Sequence, residues 1–169
     1  MGGIVSNATP LIYLAKIGRI GLLRNLFGEV FIPEEVKVEV VERGKQLGEI
    51  DAYVVEKAIN DGWLKVLRAE VVEVQIDLDK GEVAALSLAK NLGLVEVLID
   101  EAPARTAARL LGLTPRGTIF VLLKASERGE MDFNEFLEAL NELIRHGFRL
   151  KEEVYIEVVR RAREIEAEN

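Results

Sequence analysis

The chain contains no cysteine and a single histidine, His146, in 169 residues. Without thiols, disulfides, thiolate zinc sites and cysteine nucleophiles are excluded. One imidazole cannot supply a multi-histidine centre. Any metal must therefore be held mostly by oxygens, and oxygen donors favour Mg²⁺ or Mn²⁺. Basic residues are also in deficit: 22 Lys and Arg stand against 29 Asp and Glu, a net charge of −7. A generally basic nucleic-acid coat is excluded. A polyanion would have to find a local basic patch, or reach an acidic site through metal ions. The apolar runs fall far short of a membrane span. Met1-Gly2-Gly3 has no basic leader ahead of the first strand-like run, so no secretory signal is expected and a cytoplasmic location is predicted. Glutamine is nearly absent (Gln46 and Gln75), while Glu, Lys, Arg and Val are many, a composition that fits a thermophile.

The length suits one domain, and a domain this size buries roughly 70% of its unfolded surface, enough for a core without staples. Short apolar β-branched runs alternate with helical patterns. Strands are predicted at Gly3–Ser6, Val30–Ile32, Leu64–Leu67 and Val95–Ile99, with a short extended piece at Leu113–Pro115. Between them, Thr9-Pro10 is expected to open a helix, with Thr as N-cap and Pro in the first turn. Further helices are expected over about 20–27, from Pro33 to near Gly44, and over 49–60, 83–92, 103–111 and 118–128. Val71–Leu78 alternates like a strand among loop-like neighbours and is left open between the two. Strands that run apolar rather than alternating, each bounded by helices, predict a parallel sheet covered on both faces.

After Gly129 the pattern becomes purely helical. Asp132 and Glu135 have capping-box spacing. Phe133, Phe136, Leu137, Leu140, Leu143 and Ile144 stripe one helix, and Val154, Tyr155, Val158, Val159, Ala162 and Ile165 stripe another beyond His146-Gly147. Residues 1–130 thus form the α/β domain, and 131–169 a helical hairpin appended to it. The apolar surface of the hairpin is expected to bury against the main domain and, in part, against a second copy in a homodimer.

In a parallel sheet, ligands collect beyond the carboxyl ends of the strands. Asn7 follows the first strand, and Asp100 and Glu101 follow the fourth. Glu39, after strand two, and Glu82, in the first turn of the helix before strand four, could reach the same rim. Each also has an ordinary structural role. Asn7 suits a turn or helix lead-in. Asp100 could face the helix N-terminus that follows it. Glu101, Arg105 and Arg109 have the spacing of a surface ion-pair ladder. Glu82 could complete a capping box with Asp79, and Glu39 could be solvated. Joint placement carries the functional case, because carboxylates gathered at one rim repel unless a cation neutralises them.

Four segments, Ile4–Ile12, Ile32–Glu39, Leu78–Ala89 and Val97–Glu101, resemble the PIN-domain family, most closely a prokaryotic branch related to VapC toxins. Ala108–Thr118 and the Gly147-Phe148 helical tail continue the resemblance over nearly the whole chain. The resemblance implies a three-layer α/β/α sandwich with a parallel sheet in the order 3-2-1-4-5. It also implies a Mg²⁺- or Mn²⁺-dependent ribonuclease site built from acids. The acids of the family fall on Glu39, Glu82 and Asp100 as catalytic residues. Asn7 and Glu101 join them as metal ligands, and Thr9 matches a hydroxyl beside the first acid. Asn7 departs from the pattern: an amide oxygen binds a hard cation but brings no charge. Losing a unit charge about 5 Å from a divalent ion forfeits on the order of several kcal/mol at an effective dielectric of ~20. Weaker metal binding, with one ion rather than two, is therefore expected.

Two readings follow. In the first the protein hydrolyses single-stranded RNA, whose bases can splay. Lys80, Arg105, Arg109 and Arg116 are its phosphate contacts, and an antitoxin protein is its partner if it acts as a toxin. In the second it is a PIN-like binding module of little or no activity, which Asn7 and the net acidity favour. Phosphoryl-accepting receivers and dehalogenase-like phosphatases also use strand-end acids. They need an Asp nucleophile, though, and strand one offers Asn7.

Overall fold

The computed structural model describes residues 2–169. In chain order the first half comprises β1 (Ile4–Ser6), α1 (Ala8–Lys16), α2 (Gly21–Phe27), β2 (Val30–Pro33), α3 (Glu34–Lys37), a π-helical turn (Val38–Arg43), α4 (Gly44–Gln46), α5 (Ile50–Asn60) and β3 (Leu64–Leu67). Then come α6 (Lys80–Leu92), β4 (Glu96–Leu98), α7 (Ala102–Leu110), β5 (Thr114–Arg116), α8 (Thr118–Glu127), α9 (Phe133–Arg145) and α10 (Glu152–Glu168). The five strands form one parallel sheet in the order β3-β2-β1-β4-β5.

Side chains of successive strand residues enter opposite layers, as pleating requires. Ile4 joins one core and Val5 the other; Leu98 joins the first, and Val97 and Ile99 the second. The first core lies under α1, α2, α5 and α8. The second lies under α6 and α7, where Ala85, Ala89, Ala104, Ala107 and Ala108 keep helix and sheet close. A strand buried on both faces cannot alternate polar and apolar residues, which explains the unbroken Ile-Val and Val-Leu-Ile runs.

The hairpin joins the first core. Phe136, Leu140 and Leu143 of α9, with Val158 and Ala162 of α10, bury with Val121, Leu122 and Ala125 of α8. Truncating the fully buried Phe136 to Ala should cost about 3–5 kcal/mol. Capping boxes start α6 (Asp79 with Glu82) and α9 (Asp132 with Glu135).

Two local expectations change, and two open readings are decided. The first helix begins at Ala8, not at Thr9-Pro10, with Asn7 at the N-cap position and no side-chain cap. Extended β1 runs straight into the helix, so Thr9 lies inside the first turn, where its hydroxyl is free for another partner. The single helix expected after Pro33 is α3, the π-helical turn and α4 in succession. Residues 68–79 form no strand. Their alternation is nonetheless real: Val74, Ile76 and Leu78 rest on the second core, and Ser87 Oγ accepts from the Val72 N–H. Finally, no ion pair links Glu101, Arg105 and Arg109 among the described residues. Glu101 and Arg105 turn to other partners, named below.

Candidate active site

The chain builds β1, β2 and β3 outward to one side, then crosses back to place β4 and β5 on the other. The reversal point lies between β1 and β4, where an open α/β sheet leaves a crevice at the strand ends. Ser6 pairs with Leu98, and the Asn7 N–H donates to Leu98 O at 2.9 Å. Asn7 therefore stands directly beside the end of β4, with Asp100 and Glu101 just beyond.

Asn7 is 4% exposed. Its side chain enters a small acidic recess around Gly81. A Cβ at Gly81 would lie 3.3 Å from Glu39 Oε1, 3.5 Å from Asp79 Oδ1 and 3.8 Å from Asn7 Oδ1. The π-helical turn carries Glu39 to this point, and such turns are frequent at functional sites. Asp79 is the residue that the sequence reading missed. Its spacing to Glu82 signalled a helix cap, and it is one, with Oδ1 accepting from the Glu82 N–H at 2.8 Å. The same carboxylate also stands among the rim acids. Only its position three residues before Glu82 could have hinted at that.

On the β4 side, Asp100 accepts from the Thr118 N–H at 2.8 Å and the Thr118 hydroxyl at 2.7 Å. It thereby faces the N-terminus of α8, not that of the helix directly after it. The fit is tight, since a Cβ at Gly117 would lie 2.9 Å from Asp100 Oδ1. Glu101 Oε2 accepts from the Thr9 hydroxyl at 2.9 Å. Its other oxygen, Oε1, is buried and has no hydrogen-bond partner, the one such side-chain atom among the described residues. A buried carboxylate oxygen with no donor is costly unless a cation or water serves it.

Electrostatics ties these acids together. Burial pushes Glu39, Glu82 and Asp100 above the ordinary carboxylate range, and the Glu101 charge pushes all three further. Asp79 also raises Glu39 and Glu82, although its backbone N–H, donating to Glu82, opposes the shift there. The two Thr118 bonds hold Asp100 down, and Arg105 helps them. This is the signature of a cluster short of positive charge.

The predicted phosphate contacts are placed unequally. Lys80 lines a cleft of about 510 Å³ with Glu39, Arg43, Asp79 and Gly81. Arg105 donates to Ile99 O at 3.0 Å, and burial followed by Arg109 and Arg116 lowers its pKa. Arg116 pairs with Glu96 at 2.8 Å, and Arg109 is exposed on α7.

The donor set fits a hard divalent cation: carboxylates, one amide oxygen, and one buried oxygen without a donor. No three carboxylates stand at ligating distance from a common point among the described residues. The acids are gathered at one rim and held apart by their hydrogen bonds to protein donors.

A family model described as PIN domain matches residues 3–164. The chain therefore belongs to the PIN-domain family, whose fold is of the nuclease type. A solved structure, a domain of a functionally unknown protein from Methanocaldococcus jannaschii, is 15% identical, with a TM-score of 0.46 over 69% of this chain and 91% of that one. No curated protein matches. No helix is long and apolar enough to cross a membrane among the described residues.

Proposed function

We propose that this protein hydrolyses phosphodiester bonds of single-stranded RNA with Mg²⁺ or Mn²⁺ bound at the acid rim. The observation that carries the reading is the unpartnered Glu101 Oε1 among acids whose pKa values are raised by burial and then by one another's charge. Asp100, Glu101 and Glu82 would hold an ion once their side chains turn from their protein donors, with Glu39 and the Asn7 amide oxygen beside them. A divalent ion there supplies positive charge against the phosphate and makes water more acidic. Glu39, at the open side of the recess with its carboxyl pKa raised by burial, would accept a proton. Lys80 and Arg43 line the same cleft and would hold a phosphate next to it. In this reading the chain is of the VapC-related branch, a cytoplasmic homodimer acting as the toxin of a pair, and a small antitoxin protein blocks the rim or the hairpin groove.

One observation favours a binding module instead. Asp100, Glu101 and Glu82 already accept bonds from protein donors, and Asn7 brings no charge. End-labelled single-stranded RNA incubated with Mn²⁺ or EDTA separates the two readings. The nuclease reading expects Mn²⁺-dependent fragments that disappear with Asp100→Asn and with Glu101→Gln. Intact RNA with the wild-type protein, in Mn²⁺ and in Mg²⁺ alike, would refute it in favour of the binding module.

A further inference from the structure

A groove of about 860 Å³ opens from the acid rim toward the loop joining α9 and α10. At one end it is lined by Thr9, Asp100 and Glu101. Its walls carry three half-buried aromatic rings: Tyr13 of α1, Phe120 of α8 and Phe148 of the loop. None of these rings is needed for phosphodiester chemistry. Tyr13 and Phe148 meet edge to face with centroids 5.2 Å apart. Each is packed on the first core from below and still lines the groove. These two rings are therefore held in place, and fixed rings lose little entropy when a flat partner settles on them.

Cations are interleaved with these rings. Arg105 and Arg149 line the same groove. The Arg116 guanidinium lies 4.3 Å from the Phe120 ring centroid and Lys124 Nζ 5.7 Å from it. Arg109 and Arg116 stand close enough to Arg105 to depress its pKa. Arg116 is paired with Glu96, so Arg105, Arg109, Arg149 and Lys124 supply the local positive charge in a chain of net charge −7, next to the acids rather than spread over the surface. A groove that alternates aromatic faces with guanidinium groups suits an unpaired polynucleotide: bases stack on the rings while the backbone tracks the cations. A duplex keeps its bases stacked on one another and cannot offer them to such a groove.

We propose that this groove is a base-binding subsite, in which unpaired bases adjoining the scissile phosphate stack on Phe148 and Phe120. The inference rests on the nuclease reading for the position of the phosphate. It goes beyond that reading in assigning recognition to the rings. The groove, not the acids, then sets which base stands next to the cut. The subsite joins the α/β domain to the hairpin, since Tyr13 and Phe120 come from one and Phe148 from the other.

The test uses the full-length protein and single-stranded RNA oligomers carrying 2-aminopurine, whose fluorescence is quenched on stacking. Affinity is measured with Ca²⁺ in place of Mn²⁺, and cleavage separately with Mn²⁺. Phe148→Leu and Phe120→Leu keep apolar volume and remove the stacking face, so folding is preserved; circular dichroism checks it. The wild type should quench the probe. Each Leu variant should weaken binding about ten- to hundred-fold, the range for one lost base–ring stack. That penalty should vanish on RNA with an abasic residue at the same position. Wild-type cleavage with unchanged affinity and unchanged base preference in both Leu variants would overturn the subsite and leave the nuclease reading standing. RNA that binds with quenching but is not cut would support the subsite and refute the nuclease reading. A protein that binds no single-stranded RNA overturns both. A wild type that sediments as a dimer while Phe148→Leu sediments as a monomer also overturns the subsite, because a second copy then covers the groove.

Discussion

Asn7→Asp tests the charge balance of the rim most directly. It places a carboxylate where a nearly inaccessible amide now lies, at the N-cap position of α1. Asn7 Oδ1 and Glu39 Oε1 lie 3.8 Å and 3.3 Å from one common point above Gly81. At a separation of at most roughly 7 Å and an effective dielectric of about 20–40, the new repulsion is at least about 1.2–2.4 kcal/mol. Asp79 adds to it from the same recess. Loss of hydration adds more, and the helix N-terminus returns about 0.3–1 kcal/mol. A net loss of about 1–3 kcal/mol should lower the melting temperature by about 3–10 °C at neutral pH without divalent ions. The loss should shrink as pH falls and the new carboxyl is protonated. Mn²⁺ at a hundred times its Kd should add about 2.7 kcal/mol of stability, because only the folded state gathers the ligands. Asn7→Asp should reach that condition at lower Mn²⁺ than the wild type. Scanning calorimetry with and without Mn²⁺ measures both signs. Equal melting temperatures for wild type and Asn7→Asp in both conditions would refute the reasoning and leave Asn7 a helix lead-in only.

The pH dependence of the metal-free protein should show the same strain. Glu39, Glu82 and Asp100 have raised folded-state pKa values, so the folded chain holds their protons more tightly than the unfolded chain. Their contribution to stability is greatest when they are protonated and falls as pH rises through those raised values. Thermal melts from pH 4 to pH 8 should show this fall in wild type, a weaker one in Glu82→Gln, and a flatter profile with Mn²⁺. Thr118→Val removes the hydroxyl that donates to Asp100 Oδ2 and should cost about 1.5–3 kcal/mol in urea unfolding. Gly81→Ala should separate fold from site. Helix propensity favours Ala by about 1 kcal/mol. The added methyl would stand 3.3 Å from Glu39 Oε1 and should weaken Mn²⁺ binding, read by isothermal titration, without lowering the melting temperature.

Fold class and rim were legible in the sequence because both follow from local signals. The unbroken runs around Ile4-Val5 and Val97-Ile99 announce strands buried on two faces, and such strands occur in parallel sheets. Asn7 and Asp100 end those runs, so they had to stand at a strand terminus. Other features were not legible. Val71–Leu78 alternates because one side rests on α6 and its neighbours, and alternation reports burial of one face whether or not a strand lies alongside. The π-helical turn at Val38–Arg43 departs from the 3.6-residue period by a single residue, too small a change to read from Val36, Val40 and Val41.

The sequence alone determined that any metal chemistry must use oxygen donors, and that Asn7, Asp100 and Glu101 follow strands. Tertiary structure decided which partner each acid takes. Asp100 caps a helix that begins 18 residues later, and Thr9 reaches Glu101 across 92 residues. Asp79 is both a helix cap and a member of the acid cluster. The groove of Tyr13, Phe120 and Phe148 draws on α1, α8 and the hairpin loop. Helix and strand patterns depend on residues a few positions apart. Hydrogen-bond partners and grooves depend on how distant elements pack, and no local periodicity encodes that.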